Sequence, residues 1–175
     1  MFGGMEPGNA VIVQIMEECK MKIEKNSALL VIDIQQEDFK QMREDNMHDP
    51  QWDCIRIHCM EDSPDSDYAQ LTYPIKGEYL ISKRRYSSFF GTDLEILLKG
   101  LHVDTLYLIG GLTDVCIHYT AVDAHQHDYH IKVVTDAVAG SSQEAHAYAL
   151  RAIQYLQRDA WTTVAEIESI ACNGH

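Results

Sequence analysis

The chain has 175 residues, 46% hydrophobic and 23% charged, enough for a single globular domain with a full core. Its formal charge of −13 argues against a nucleic-acid binder, because such proteins concentrate Lys and Arg. No apolar run approaches the roughly 18–20 residues of a membrane span, so a soluble protein handling a small molecule is expected.

The first residues, M-F-G-G-M-E-P-G-N, lack the basic flank and small-residue cleavage site of a secretory signal. The five cysteines (Cys19, Cys54, Cys59, Cys116, Cys172) show neither framework spacing nor a C-x-x-C pair. Reduced thiols in the cytoplasm are therefore expected.

Residues 9–25 carry Val11, Ile12, Ile15, Met16, Cys19 and Ile23 at roughly helical spacing and read as an amphipathic helix. The β-branched run Val11 to Val13 also fits a short strand. Ser27 to Asp33, S-A-L-L-V-I-D, is a continuous apolar strand of the kind buried on both faces, and it ends in a carboxylate. In an open α/β sheet an acid there lies on the ligand-binding edge, although a lone Asp at such a place more often caps the next turn.

Lys40 to Tyr73 is acidic, contains Pro50 and Pro64, and shows little periodicity, so it reads as a loop over the site. His48, Asp49, Asp53, His58, Cys59, Glu61 and Asp62 are metal-ligand types, yet in so acidic a chain a solvated charged loop explains them better. If a divalent ion such as zinc binds, His58 is the first ligand to test.

Gly77 to Lys83 is a second strand ending at Lys83, followed by a helix starting at Ser88 or Thr92 and stopping at Gly100. Thr105 to Ile109 is a third strand. It runs into Gly110 and Gly111 and then a helix start at Thr113 and Asp114 that puts Cys116 in the first helical turn. Free backbone N–H groups and the helix dipole would favour a thiolate there. Ile117 to His127 is helical, Ile131 to Asp136 is a fourth strand, and Gln143 to Leu156 is a helix with Ala145, Ala149 and Ala152 on one side. Trp161 to Val164 adds an edge strand and Ala165 to Ile170 a last helical turn. This alternation predicts a single-domain, three-layer α/β/α fold with a mostly parallel central sheet.

Charged residues end three strands (Asp33, Lys83, Asp136), which places chemistry on one edge of the sheet. Asp33, Lys83 and Cys116 together suit acyl transfer. The thiol supplies a nucleophile, the acid moves its proton, and the ammonium stabilises ionised partners.

The stretches A-L-L-V-I-D-I-Q, S-K-R-R-Y-S-S-F-F-G-T-D-L, G-L-T-D-V-C-I-H-Y-T-A-V-D-A and V-V-T-D-A-V-A, with His146 downstream, resemble the isochorismatase-like cysteine hydrolases. That superfamily includes nicotinamidases, N-carbamoylsarcosine amidases and isochorismatases. The resemblance covers residues 27–39 and about 58–158. It implies an Asp33–Lys83–Cys116 triad, a thioester-type intermediate and a homo-oligomer. It also implies a cis peptide at Gly111–Leu112 that turns the Leu112 N–H towards an oxyanion beside that of Cys116.

Retention of the thiol favours cleavage of a C–N bond in a small amide, ureido or carbamoyl compound. The alternatives are an isochorismatase-type hydrolase working through Asp33 and a non-catalytic scaffold. Tyr86 and Tyr119 could flank a flat substrate, whereas Phe89 and Phe90 suit a core or subunit interface.

The chain departs from the family in three places. Residues 1–26 are atypical, and residues 40–76 are shortened or altered, with only about 50 positions between Asp33 and Lys83. Val11 to Val13 or Cys54 to Ile57 could supply the strand missing there. D-I-Q-Q-E-D-F is one residue longer than the usual pattern. Of the D-x-H pair and further histidines that hold a metal in nicotinamidases, only His58-Cys59 is recognisable, so no cofactor is expected.

Overall fold

The computed structural model describes residues 10–15, 26–34 and 74–172. Six strands form one sheet: β1 (Ala10–Ile15), β2 (Ser27–Ile32), β3 (Tyr79–Ser82), β4 (Thr105–Gly111), β5 (His130–Ala139) and β6 (Trp161–Thr162), in the spatial order β3-β1-β2-β4-β5-β6. From β2 to β6 the pairing is parallel. β1 lies antiparallel to both β2 and β3. The helices are α1 (Leu94–Gly100), α2 (His118–Gln126), α3 (Gln143–Leu156) and α4 (Val164–Cys172), with a π-helical turn (Thr113–Ile117) leading into α2.

Strand alternation sorts the side chains into two layers of packing. Val11 and Val13 of β1, Ala28, Leu30 and Ile32 of β2, Leu106 and Leu108 of β4, and Ile131 and Val133 of β5 share one face. They pack with Leu94 and Leu98 of α1, Ala121 and Ala124 of α2, and Leu150 and Ile153 of α3. The intervening Leu29, Tyr107, Ile109 and Val134 face the other way and meet Ile167 of α4. The fold is thus α/β with a mostly parallel sheet between helical layers, as the strand–helix alternation predicts.

One element differs from the helical reading of residues 9–25. Ala10 to Ile15 are a strand, a conformation that the β-branched run at Val11 to Val13 favours. Val11 and Val13 are fully buried opposite Ile32 and Leu30, so a central place in the sheet outweighs the helical spacing of the apolar residues. Residues 16–25 lie outside the described set, as do residues 40–73, for which a loop is expected, with Cys54 to Ile57. β5 runs three residues beyond Asp136. A register shift against β4 between Leu108 and Gly110 accommodates the extra length. Asp136 therefore does not end its strand: its carboxylate accepts the Val164 N–H at 3.0 Å and caps α4.

The chain leaves β2 towards β1 and β3 and then returns to β4 on the other side. This makes the β2–β4 boundary the topological switch point, where open α/β sheets form their crevice. Gly110 lies there with φ +113°, and a Cβ at that position would stand 2.0 Å from the Ile32 carbonyl oxygen. Neither the conformation nor the space accepts a side chain. Gly110→Ala should cost at least ~3 kcal/mol in chemical denaturation. An unchanged midpoint would contradict this close approach of β4 to β2.

Candidate active site

Three strand ends converge on that crevice. β2 closes at Ile32, and Asp33 follows with φ +49°, a left-handed conformation that Asp tolerates better than most residues. β3 runs parallel to β2, because both lie antiparallel to the intervening β1, so Lys83 emerges on the same edge. β4 delivers Gly110, Gly111 and then the turn bearing Cys116. The Gly111–Leu112 peptide bond is cis.

The three side chains are in contact. Lys83 Nζ lies 2.5 Å from Asp33 Oδ2 and 3.5 Å from Cys116 Sγ, and it donates to the Arg85 carbonyl at 3.1 Å. These partners use all three ammonium hydrogens. The Lys83 side chain is 1% exposed and that of Asp33 8%, so the pair is shielded from water. Asp33 also hydrogen-bonds the Cys116 thiol.

Burial works against the Lys83 ammonium, but the negative charge of Asp33 and the adjacent Cys116 outweigh it and raise its pKa above the ordinary value. Lys83 therefore remains charged. Cys116 behaves differently from the helix-start expectation. Burial first, and then the Asp33 carboxylate, push its pKa up to about 12, while Lys83 pulls the other way. The resting group is a thiol. Cys116 also sits in a π-helical turn, with the Ile117 N–H bonded to the Leu112 carbonyl at 3.0 Å, rather than in the first turn of a regular α-helix.

Other candidates are distributed unevenly around this centre. Tyr86 and Tyr119 stack on each other with ring centroids 5.6 Å apart, and both are about half exposed. Phe89 is buried in the core beside Tyr129, whereas Phe90 is 67% exposed. His58 and the acids around it lie outside the described residues. Among the described residues, no group of three or more His, Cys, Asp or Glu is arranged to hold a metal ion. No described helix is long and apolar enough to cross a membrane.

Several supporting contacts were not foreseen from the sequence. Ser88 and Thr120, both fully buried, are joined by the Ser88 N–H to Thr120 Oγ1 (3.0 Å) and by their hydroxyls (3.1 Å), which ties the segment after Lys83 to α2. Asp114 accepts from the Ser141 N–H and hydroxyl at 2.8 and 2.6 Å. His146 Nδ1 is hydrogen-bonded to Thr113 Oγ1 at 2.9 Å. The only signal in the sequence is a scatter of small polar residues beside the strand ends, and spacing alone does not pair them.

Alkylation of Cys116 by iodoacetamide should have a pH midpoint well above the ordinary thiol value of roughly 8.5. Asp33→Asn removes the neighbouring negative charge and should lower that midpoint. Lys83→Met removes the positive one and should raise it, at a stability cost of ~3–5 kcal/mol from the stranded carboxylate. A wild-type midpoint near neutrality, or shifts of the opposite sign, would refute this electrostatic account.

Comparison with known proteins agrees with this architecture. Residues 44–167 match the isochorismatase domain, a stretch that contains Lys83 and Cys116 and begins after Asp33. Maleamate amidohydrolase of Pseudomonas putida is 37% identical over 87 residues, which is 50% of this chain and 41% of that protein. An isochorismatase-like hydrolase from Alkaliphilus metalliredigens superposes with a TM-score of 0.62 at 32% identity, covering 65% of this chain and 63% of that one. N-carbamoylsarcosine amidase from Thermoplasma acidophilum gives 0.53 at 34% identity, covering 61% and 62%. The chain spans about half, or less, of the length of the curated relatives it matches. With the family match covering well over half of its residues, the chain belongs to the isochorismatase family.

Proposed function

We propose that this protein is a cysteine hydrolase that cleaves the C–N bond of a small amide, ureido or carbamoyl compound. The observation that carries the reading is the contact of Lys83 with both Asp33 and Cys116 inside a nearly dry site. Two similar proteins, maleamate amidohydrolase and N-carbamoylsarcosine amidase, are named for such bonds.

In the proposed cycle Cys116 Sγ attacks the carbonyl carbon as its proton passes to Asp33. Because the free thiolate is costly here, transfer accompanies attack rather than preceding it. The carbonyl oxygen gains negative charge, for which the backbone N–H groups of Leu112 and Cys116, beside Gly111, are the assigned donors. Asp33 then protonates the departing nitrogen, the C–N bond breaks, and a thioester remains. Water, giving a proton to Asp33, attacks that thioester. The acid leaves and the proton returns to sulfur. Lys83 stays an ammonium throughout and steadies whichever neighbour carries the negative charge. Tyr86 and Tyr119 are assigned to the substrate's approach side.

Ammonia release should be measured with maleamate, N-carbamoylsarcosine and a set of ureido acids. The wild type should turn over at least one, with Cys116→Ala lowering kcat/KM by roughly 10³-fold or more and Asp33→Asn by roughly 10²–10⁴-fold. Equal rates for wild type and Cys116→Ala on every compound would end the nucleophile assignment.

A further inference from the structure

The turn that carries Cys116 has among its backbone bonds those from the N–H groups of Val115 and Ile117, both to the Leu112 carbonyl. It is five residues of π-helix, Thr113–Ile117, with no side-chain cap at its start. The π form is an uncommon, single-turn conformation, found mostly within α-helices and often at functional sites. The thiol must be held in the one place where it meets both Asp33 and Lys83. The sheet edge fixes the strand end before the turn, and buried Ile117 seats the turn's other end in the core.

Support comes from the loop between β5 and α3. His146 in the first turn of α3 is hydrogen-bonded through Nδ1 to Oγ1 of Thr113, which is fully buried. One residue along, Asp114 uses both carboxylate oxygens on Ser141, whose N–H and hydroxyl donate at 2.8 and 2.6 Å. Gly140 completes the fit: a Cβ there would lie 2.7 Å from His146 Cβ and 2.9 Å from Asp114 Oδ1. The Ser142 hydroxyl caps α3 by accepting the Ala145 N–H at 3.1 Å, so the pinning loop is itself anchored to a fourteen-residue helix.

We propose that His146 is a positioning residue for Cys116, acting through Thr113, with the Asp114–Ser141 bonds as a second pin on the same turn. Among the described residues, the hydrogen bonds of the two pins run to Thr113 and Asp114. Together they bind the two residues that open the nucleophile turn to α3 and the loop before it. The proposal rests on the hydrolase reading for its kinetic consequence, but its geometric consequence stands without it.

The test compares His146→Ala, His146→Asn and Ser141→Ala with the wild-type chain, each shown folded by circular dichroism and thermal melting. The Asn side-chain amide, donating through nitrogen or accepting through oxygen, can take the place of imidazole Nδ1 towards the Thr113 hydroxyl in either direction. With a compound that the wild type hydrolyses, His146→Ala should lower kcat roughly 10–100-fold, since small displacements of a reacting group cost about that much. KM should stay within about threefold, and His146→Asn should recover most of the loss. Ser141→Ala should show a smaller fall in kcat.

A substrate-free measurement separates failure of this proposal from failure of the hydrolase reading. Iodoacetamide alkylation of Cys116 should have a lower pH midpoint in His146→Ala, because a loosened turn admits water and burial is the chief cause of the raised thiol value. His146→Asn should restore the wild-type midpoint. If His146→Ala folds and leaves both kcat and the midpoint unchanged, His146 does not position the thiol. If no compound is turned over but the midpoint shifts and is rescued, the positioning role holds and the hydrolase reading fails.

Discussion

A buried ammonium survives only where its neighbours repay the loss of water, and the Asp33–Lys83 pair does this at the edge of the sheet. With side chains 1% and 8% exposed, the two charges depend on each other. Such a pair adds little to folding stability compared with well-packed apolar residues of the same volume. What it provides is a fixed field at one point, and Cys116 Sγ, 3.5 Å from the ammonium, occupies that point. Burial and then the Asp33 carboxylate hold the thiol's pKa up, and the Lys83 ammonium pulls it the other way. In the proposed cycle the same pair would supply the base for Cys116 and limit the cost of ionising it on attack.

The sheet makes this arrangement possible. Asp33, Lys83 and Cys116 come from three different strand ends, and they meet because β2, β3 and β4 all point the same way. β1 is the exception that allows it. By pairing antiparallel with both β2 and β3, it keeps those two strands parallel while filling the gap between them. Gly110 lets β4 approach β2 closely enough for the turn beyond it to reach Asp33's edge. The pins from Ser141 and His146 then hold that turn from the β5 side.

Much of this was legible in the sequence because the signals are local. The apolar run of Ser27 to Ile32, the alanine-sided helix Gln143–Leu156 and the strand–Gly–Gly–helix passage around Cys116 each carry their own periodicity or punctuation. Within residues 9–25, the described part misled because Val11, Ile12 and Ile15 satisfy helical spacing while the β-branched run Val11 to Val13 satisfies a strand. Only tertiary pairing with Ile32 and Leu30 decides between the two. Asp136 read as a strand-end acid at the site, yet it caps α4, because the register shift that lengthens β5 is invisible in one chain. The thiol's protonation was also misread. A helix-start argument considers one element, whereas desolvation and the Asp33 charge come from elsewhere in the fold.

The central claim is that Cys116 rests as a neutral thiol between a bare Asp33 carboxylate and a fully protonated Lys83. Neutron diffraction from a crystal at neutral pH addresses it most directly, because hydrogens become visible on all three groups. The account predicts nuclear density for hydrogen on Cys116 Sγ, three hydrogens on Lys83 Nζ and none on Asp33. A bare sulfur with the proton on Asp33, or a lysine carrying only two hydrogens, would contradict it.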